Sequence, residues 1–338
     1  MLESKRLLQS DLENICLENI QTCILVANLC ACHSNPTSEA LYFRIANSMA
    51  QITGLNTSAT AGSIVMCEIK DMGEIVDLPM DESIFHSLSP DQESLEGAWK
   101  PGLWAHMISL VQHFGPIQDL NRRSALGNVD SDELDREVRH ISQQIELWEM
   151  MLPTESKMTE QNLHLHQGKG TGGALVALHL GYHHYSTLLY FRFLEDQRAV
   201  TDLRKWCISR CKHHASAYSA LLRQARREPG CEAVYPTVGH MAVVSSSVLL
   251  HILLFGDENE LESARLELNA NFEALIELKQ YWPNMVSMEK QIQTVPFGIE
   301  MEPDNLFTMT QELTQQGRYT VFELSAPTVG EGMQESLG

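Results

Sequence analysis

Three histidines, His179, His183 and His184, lie close together in one apolar stretch of the sequence. His179 and His183 are four residues apart, so on a helix they share a face, and this spacing is able to hold a metal ion. Zinc proteases of the H-E-x-x-H type carry a glutamate beside the first histidine, whereas this chain has Leu180 there. We therefore interpret the three as core histidines that hydrogen-bond neighbouring helices, with a metal or small-ligand site as the alternative.

Residues 168–173 read G-x-G-x-x-G directly before an apolar stretch, a pattern typical of phosphate binding at a helix N-terminus. In nucleotide-binding proteins that motif follows a buried strand, but residues 161–167 are polar at most positions. The P-loop order G-x-x-x-x-G-K-[ST] is absent as well. We interpret the segment as a flexible loop that leads into the next helix, and we expect no cofactor.

The cysteines do not form a pattern that indicates a zinc site or catalysis. Four of the eight are concentrated at Cys16, Cys23, Cys30 and Cys32, but the sequence has no C-x-x-C pair. Cys16 and Cys23 are one heptad apart and would share the buried face of a helix as small core residues. No serine lies in a G-x-S-x-G context either, so we expect no enzymatic activity. The polar N-terminus lacks the apolar core of a secretory signal, which predicts reduced thiols.

The elements that must position these residues are helices. Residues 173–196 are apolar around almost every helical face, which predicts a core helix enclosed by other helices. Its histidines and Arg192 argue against a membrane span. Strand-like alternation is missing, and the fold class predicted is all-α, an irregular array of about eight to ten helices around this central helix. The other helices are predicted at residues 9–32, 37–54, 91–114, 131–152, 202–227, 238–255 and 259–281.

Charge is distributed unevenly along the chain. The net charge is −20, so the surface as a whole is expected to repel nucleic acid and anionic membranes. One acid-free stretch opposes this with seven basic residues: Arg204, Lys205, Arg210, Lys212, Arg223, Arg226 and Arg227. We interpret it as a solvated helix face paired with acidic neighbours; the alternative is a contact face for an acidic partner or the DNA backbone.

Several ordered motifs resemble a known family, the fungal-specific transcription factor domain, which is the middle homology region of fungal zinc-cluster regulators. The similarity spans about residues 16–283, and it lies in the order of the motifs rather than in any one of them. The motifs are residues 19–25 (NIQTCIL), 46–55 (ANSMAQITGL), 78–82 (LPMDE) with Phe85, 103–107 (LWAHM), 114–117 (FGPI), Trp148 and Glu149 with Leu152 and Pro153, 177–185 (ALHLGYHHY) and 281–283 (YWP).

The resemblance implies an all-α regulatory domain at residues 1–325, followed by a disordered tail at 326–338. It implies a nuclear protein that regulates transcription, often of a secondary-metabolite gene cluster, under the control of protein contacts or a small-molecule effector. His179, His183 and Tyr185 would then line a candidate effector pocket. A helical small-molecule-binding or scaffold protein without a transcriptional role is the alternative.

The chain departs from the family pattern in two places. The family's zinc cluster, six cysteines in a short basic segment that binds DNA, would lie before residue 1. We therefore expect DNA to be reached indirectly, through a zinc-cluster factor or a second copy of the chain. In addition, residues 56–77 contain neither arginine nor tryptophan, although the family carries an Arg-Arg-x-Trp-Trp signature in this region.

Overall fold

The all-α prediction is confirmed. The computed structural model describes residues 2–33, 35–53, 79–81, 84, 100–194 and 201–282. Within these ranges every regular element is helical, and the one extended pairing is an isolated bridge between Met80 and Pro101. The helices are α1 (Leu2–Ser10), α2 (Leu17–Cys32), α3 (Pro36–Ile52), α4 (Leu103–Val111), α5 (Phe114–Ala125), α6 (Ser131–Met151), α7 (Glu160–Gly168), α8 (Gly172–Tyr190), α9 (Asp202–Ala225), α10 (Pro236–Phe255) and α11 (Glu258–Tyr281), with 3-10 turns at Thr154–Ser156 and Phe191–Leu194.

Helices α1 to α3 share a core of their own, and α2 and α3 pack together as a helical hairpin. The single helix predicted at residues 9–32 is wrong at its start, because the chain turns between α1 and α2. The buried amide of Asn19 stabilises that turn by donating to the backbone oxygens of Asp11 and Asn14 at 3.0 and 2.8 Å. Helix α3 also begins earlier than predicted, since the N-cap is Asn35, whose side chain accepts from the Ser38 amide at 3.1 Å.

Helix α8 is the predicted central helix. It contacts α4, α5, α6, α7, α9 and α10, and most of its side chains are buried. Its regular part ends at Tyr190, and the apolar residues that follow continue as the 3-10 turn Phe191–Leu194. An element apolar on all sides is stable in water only inside such a shell of helices.

Helix α10 is the second strongly apolar helix. By length and composition it is the one described helix able to cross a membrane, but two-thirds of its apolar window is buried in this fold. It packs against α8, α9 and α11. Its apolarity is therefore explained by its place in the core.

Helices α4, α5 and α7 also differ from the predictions. Helix α7 was not predicted, because its residues are mostly polar and carry no clear apolar stripe. Helix α5 begins at Phe114, where we expected a stop, because Pro116 is tolerated in a first turn whose N–H groups need no partner. Helix α4 begins at Leu103, after the bridge at Pro101. The tail predicted at 326–338 and residues 91–99 of the helix predicted at 91–114 lie outside the described residues.

Candidate functional site

The glycine-rich segment is a packed turn between α7 and α8. A Cβ atom at Gly172 would lie 2.6 Å from the Cys231 sulfur, and one at Gly173 would lie 2.8 Å from the Glu232 backbone oxygen. Gly170 adopts a positive φ of 73°, which favours glycine. A helix, not a strand, precedes the segment. These glycines are thus explained by close packing against the α9–α10 connection, and the loop interpretation is corrected to a tight turn.

The three histidines of α8 point to three different neighbours. His179 Nε2 lies 2.9 Å from the Ser156 backbone oxygen. His183 Nδ1 lies 3.1 Å from Nδ1 of His214 on α9. The His184 ring packs edge-on against His240 of α10, 5.6 Å between centroids. Within the described residues, no group of three or more histidine, cysteine or acidic side chains is placed to hold a metal ion.

His183 and His214 form a neutral pair. Burial lowers the pKa of His183 to about 3, and the positive charges of His179, His213 and Arg210 act in the same direction. Burial, followed by the charges on His183 and Arg210, lowers the pKa of His214 to about 2. Both rings are therefore uncharged at neutral pH, and the Nδ1–H of one ring donates a hydrogen bond to the Nδ1 of the other. Nε2 of His214 is buried without a hydrogen-bond partner.

Aromatic and polar side chains enclose this pair. The Tyr182 ring stacks on Trp148 of α6 at 5.8 Å and meets His214 edge-on at 5.5 Å. The indole of Trp148 in turn donates to the Ser109 hydroxyl of α4 at 2.9 Å. These contacts join four helices and fix the orientation of the His214 ring.

Tyr185, the third residue predicted for the effector pocket, packs elsewhere. Its ring lies 5.3 Å from that of Phe114 on α5, and burial raises its pKa to about 12. Nε2 of His179 already contacts the backbone oxygen of Ser156. Of the three residues predicted to line an effector pocket, only His183 lines the groove described next.

A groove of about 520 Å³ lies along α9 beside His183. Its floor is formed by small and apolar side chains of α9, and its far end carries charged and amide groups. Met158, from the segment before α7, also borders it. The full lining is Met158, His183, Ala217, Ala220, Leu221, Arg223, Gln224, Arg227 and Glu228.

The seven basic residues of α9 and its C-terminal end divide into those with and those without acidic partners. Three make ion pairs with other helices: Arg210 with Glu146, Lys212 with Glu260, and Arg226 with both Glu273 and Glu277. Arg204 lies in the first turn, where Thr201 caps its backbone N–H. Among the described residues, Lys205, Arg223 and Arg227 form no ion pair. Arg223 and Arg227 line the groove, so part of the predicted basic face and His183 belong to one site.

Sequence reasoning missed the partner of His183 and the groove floor. The sequence contains a second histidine doublet, His213 and His214, and this repeated pattern was the signal that could have indicated a contact with the doublet on α8. Ala217 and Ala220 are small residues three apart, so they share one helical face, and two small side chains on one face indicate a recess.

Comparison with known proteins gives one curated relative. The chain is 24% identical over 195 residues to the Zn(2)-C6 fungal-type transcription factor FTF2 of Fusarium oxysporum f. sp. lycopersici. This similarity suggests the fungal transcription factor family. It covers 57% of the chain but only 17% of the relative's length. No protein-family model and no solved structure matches the chain.

Proposed function

We propose that this chain is a helical regulatory module of a fungal-type transcription regulator, working in the nucleus. The observation that carries the proposal is the similarity to the zinc-cluster factor of Fusarium, which supports a regulator at the level of the family. The all-helical fold around an apolar central helix agrees with what the ordered motifs imply. Target genes in a secondary-metabolite cluster are part of the proposal and rest on the motif resemblance alone.

The proposed mode of action is through contacts of the helical module. The net charge of −20 is unfavourable for direct contact with DNA phosphates. Three of the seven basic side chains are neutralised by acidic partners on other helices. We therefore place DNA contact in a partner, either a zinc-cluster factor or a second copy.

A tethered reporter assay tests this function. The chain is fused to a heterologous DNA-binding domain, and output is measured from a promoter that carries the matching site. A change in output relative to that DNA-binding domain alone is expected for a regulatory module. Unchanged output in the fungal host, with the fusion present at normal level, would contradict the proposal.

A small-molecule-binding protein without a transcriptional role is the second candidate. The groove beside His183 favours it, because its volume falls within the range of ligand sites, roughly 300 to 1,000 Å³. Ligand binding in the absence of any reporter effect would support this candidate over the regulator.

A further inference from the structure

The floor of the groove is a recess in the surface of α9. Ala217, Ala220, Leu221 and Gln224 follow the three-and-four spacing of one helical face. The two alanines leave space that longer side chains would fill. From Ala217 to Gln224 the helical floor is about 10 Å long, at roughly 1.5 Å per residue. A ligand that follows this floor is elongated and mainly apolar along its body.

The C-terminal end of the groove carries two guanidinium groups. Arg223 lies in the last turn of α9 and Arg227 in the turn that follows the helix, and both side chains line the groove. Neither forms an ion pair among the described residues, although Arg210, Lys212 and Arg226 of the same basic stretch all do. Guanidinium groups bind carboxylates with two parallel hydrogen bonds, which suits an anionic ligand group here.

One acid, Glu228, also lines this end. Two arginines and one glutamate leave a local charge of about +1 in a chain whose net charge is −20. A singly charged anion neutralises that excess, whereas a group with two charges would meet repulsion from Glu228. The balance of charges therefore favours a carboxylate over a phosphate monoester.

The other end of the groove is His183. Its Nδ1 is taken by His214, which leaves Nε2 as the ring nitrogen available to a ligand. The buried Nε2 of His214 has no partner, and a buried N–H without an acceptor is rarer than an acceptor without a donor. We therefore assign the His214 proton to Nδ1, which donates to His183 Nδ1. The proton of His183 is then on Nε2, and this end of the groove is a hydrogen-bond donor.

We propose that the groove binds an elongated small-molecule carboxylate. The carboxylate lies between Arg223 and Arg227, and the apolar body covers the alanine floor beside Met158. A hydrogen-bond acceptor at the opposite end of the molecule meets Nε2 of His183. Binding itself is argued from the groove alone. The role of the ligand as an effector of the regulator rests on the proposed function.

Binding is tested with the purified full chain and anilinonaphthalene sulfonate, an apolar aromatic anion that fluoresces in apolar sites. Decanoate, decanol and decylammonium are compared as competitors with the same body and a different head group. Decanoate is expected to displace the probe at a concentration roughly tenfold lower than decanol, because only the carboxylate forms charge-assisted hydrogen bonds with the two arginines, and tenfold corresponds to about 1.4 kcal/mol. Decylammonium is expected to compete least.

Charge variants locate the head group. Arg223→Gln and Arg227→Gln keep a polar side chain and are each expected to weaken decanoate roughly tenfold while leaving decanol unchanged. Lys205→Gln is the matched control, because Lys205 is an exposed basic residue of the same helix outside the groove. Its affinity for decanoate is expected to stay within about twofold of the unsubstituted chain. Ala220→Trp, which fills the floor, should abolish displacement by all three competitors.

Three outcomes would overturn the proposal. One is decanol binding as tightly as decanoate, and another is equal weakening by Arg223→Gln and Lys205→Gln. The third is a short oligoglutamate peptide that displaces the probe better than decanoate, which would assign the groove to an acidic polypeptide. Circular dichroism melting checks that each variant is folded, and the two arginine variants decide the question even if Ala220→Trp unfolds. Probe displacement uses purified protein and the reporter assay uses the fungal host. A negative result in one therefore leaves the result of the other unaffected.

Discussion

His183 and His214 meet Nδ1 to Nδ1 at 3.1 Å across the interface between α8 and α9. The contact joins the central helix to the helix that carries the groove. His214 is 1% exposed, whereas His183 also lines the groove. The same pair therefore contributes to the packing of the core and sets which ring nitrogen a ligand meets.

Removing the buried partner of this pair is expected to destabilise the fold. His214→Ala leaves a cavity beside Tyr182 and Tyr190 and deprives His183 Nδ1 of its hydrogen bond. We expect the free energy of unfolding to fall by about 2 to 4 kcal/mol, measured by urea denaturation.

His213→Ala is the matched control, because His213 is the neighbouring histidine on α9 and is exposed. Its free energy of unfolding is expected to change by no more than about 0.5 kcal/mol. Equal losses in the two variants would show that the His183–His214 contact is not part of the core.

The His183–His214 pair is expected to lower the stability of the fold in mild acid. The pKa values of about 3 and about 2 lie below the ordinary 6.5, so the unfolded chain takes up protons that the folded chain does not. The free energy of unfolding is thus unaffected by the pair above about pH 7 and falls as the pH drops below 6.5.

His214→Phe fills the space without a titrating group and tests this dependence. Between pH 6 and pH 5 the slope of unfolding free energy against pH should be shallower in the variant by about 1 kcal/mol per pH unit. Other buried histidines contribute equally to both proteins. Parallel slopes would mean that His214 is protonated in the folded chain.

The buried Glu39 on α3 is expected to make the fold less stable as the pH rises, the opposite of the histidine pair. Its side chain is buried, and burial raises its pKa from 4.5 to about 7. The unfolded chain loses this proton between pH 4.5 and 7 while the folded chain keeps it, so stability falls as the pH rises through that range. Glu39→Gln removes the penalty, and we expect a gain of about 1 to 3 kcal/mol at pH 8 and almost none at pH 4.

The exposed Glu13, in the turn before α2, provides the control for Glu39. Glu13→Gln should leave the melting temperature nearly unchanged at both pH values. A gain from Glu39→Gln that is the same at pH 4 and pH 8 would rule out burial of the charge as its cause.

Substitution of Gly168, at the end of α7, and of Gly173, at the start of α8, is expected to have different effects on stability. A Cβ atom at Gly173 meets the backbone of Glu232 at 2.8 Å, whereas one at Gly168 meets nothing within 4 Å. Gly173→Ala should therefore cost about 1 to 3 kcal/mol, and Gly168→Ala should be neutral or stabilising by up to about 1 kcal/mol. Thermal melting of the two variants checks this, and a tolerated Gly173→Ala would contradict the packing explanation.

The sequence was sufficient to predict the all-α class and the central helix, because apolar residues on every face of a helix have no other stable place in water. It was insufficient for α7, whose polar residues form a helix without an apolar stripe. The break before α2 depends on the side chain of Asn19, and no periodicity records such a contact.

The candidate site was predicted in parts but not as a whole. His183, Arg223 and Arg227 were each identified from the sequence, yet 40 or more positions separate the histidine from the arginines. Only the crossing of α8 and α9 brings them to one groove. Similarly, acidic neighbours were expected for the basic stretch, but only the fold shows that Arg210 pairs with Glu146 on α6 and Lys212 with Glu260 on α11.

Promoter occupancy in the host is the most direct test of the proposed regulatory role. The tagged protein is immunoprecipitated with chromatin, and transcripts of a deletion strain are profiled in parallel. The proposed regulator predicts enrichment at a set of promoters whose genes change on deletion. No enrichment and no coordinated change in expression, with the protein present, would contradict it.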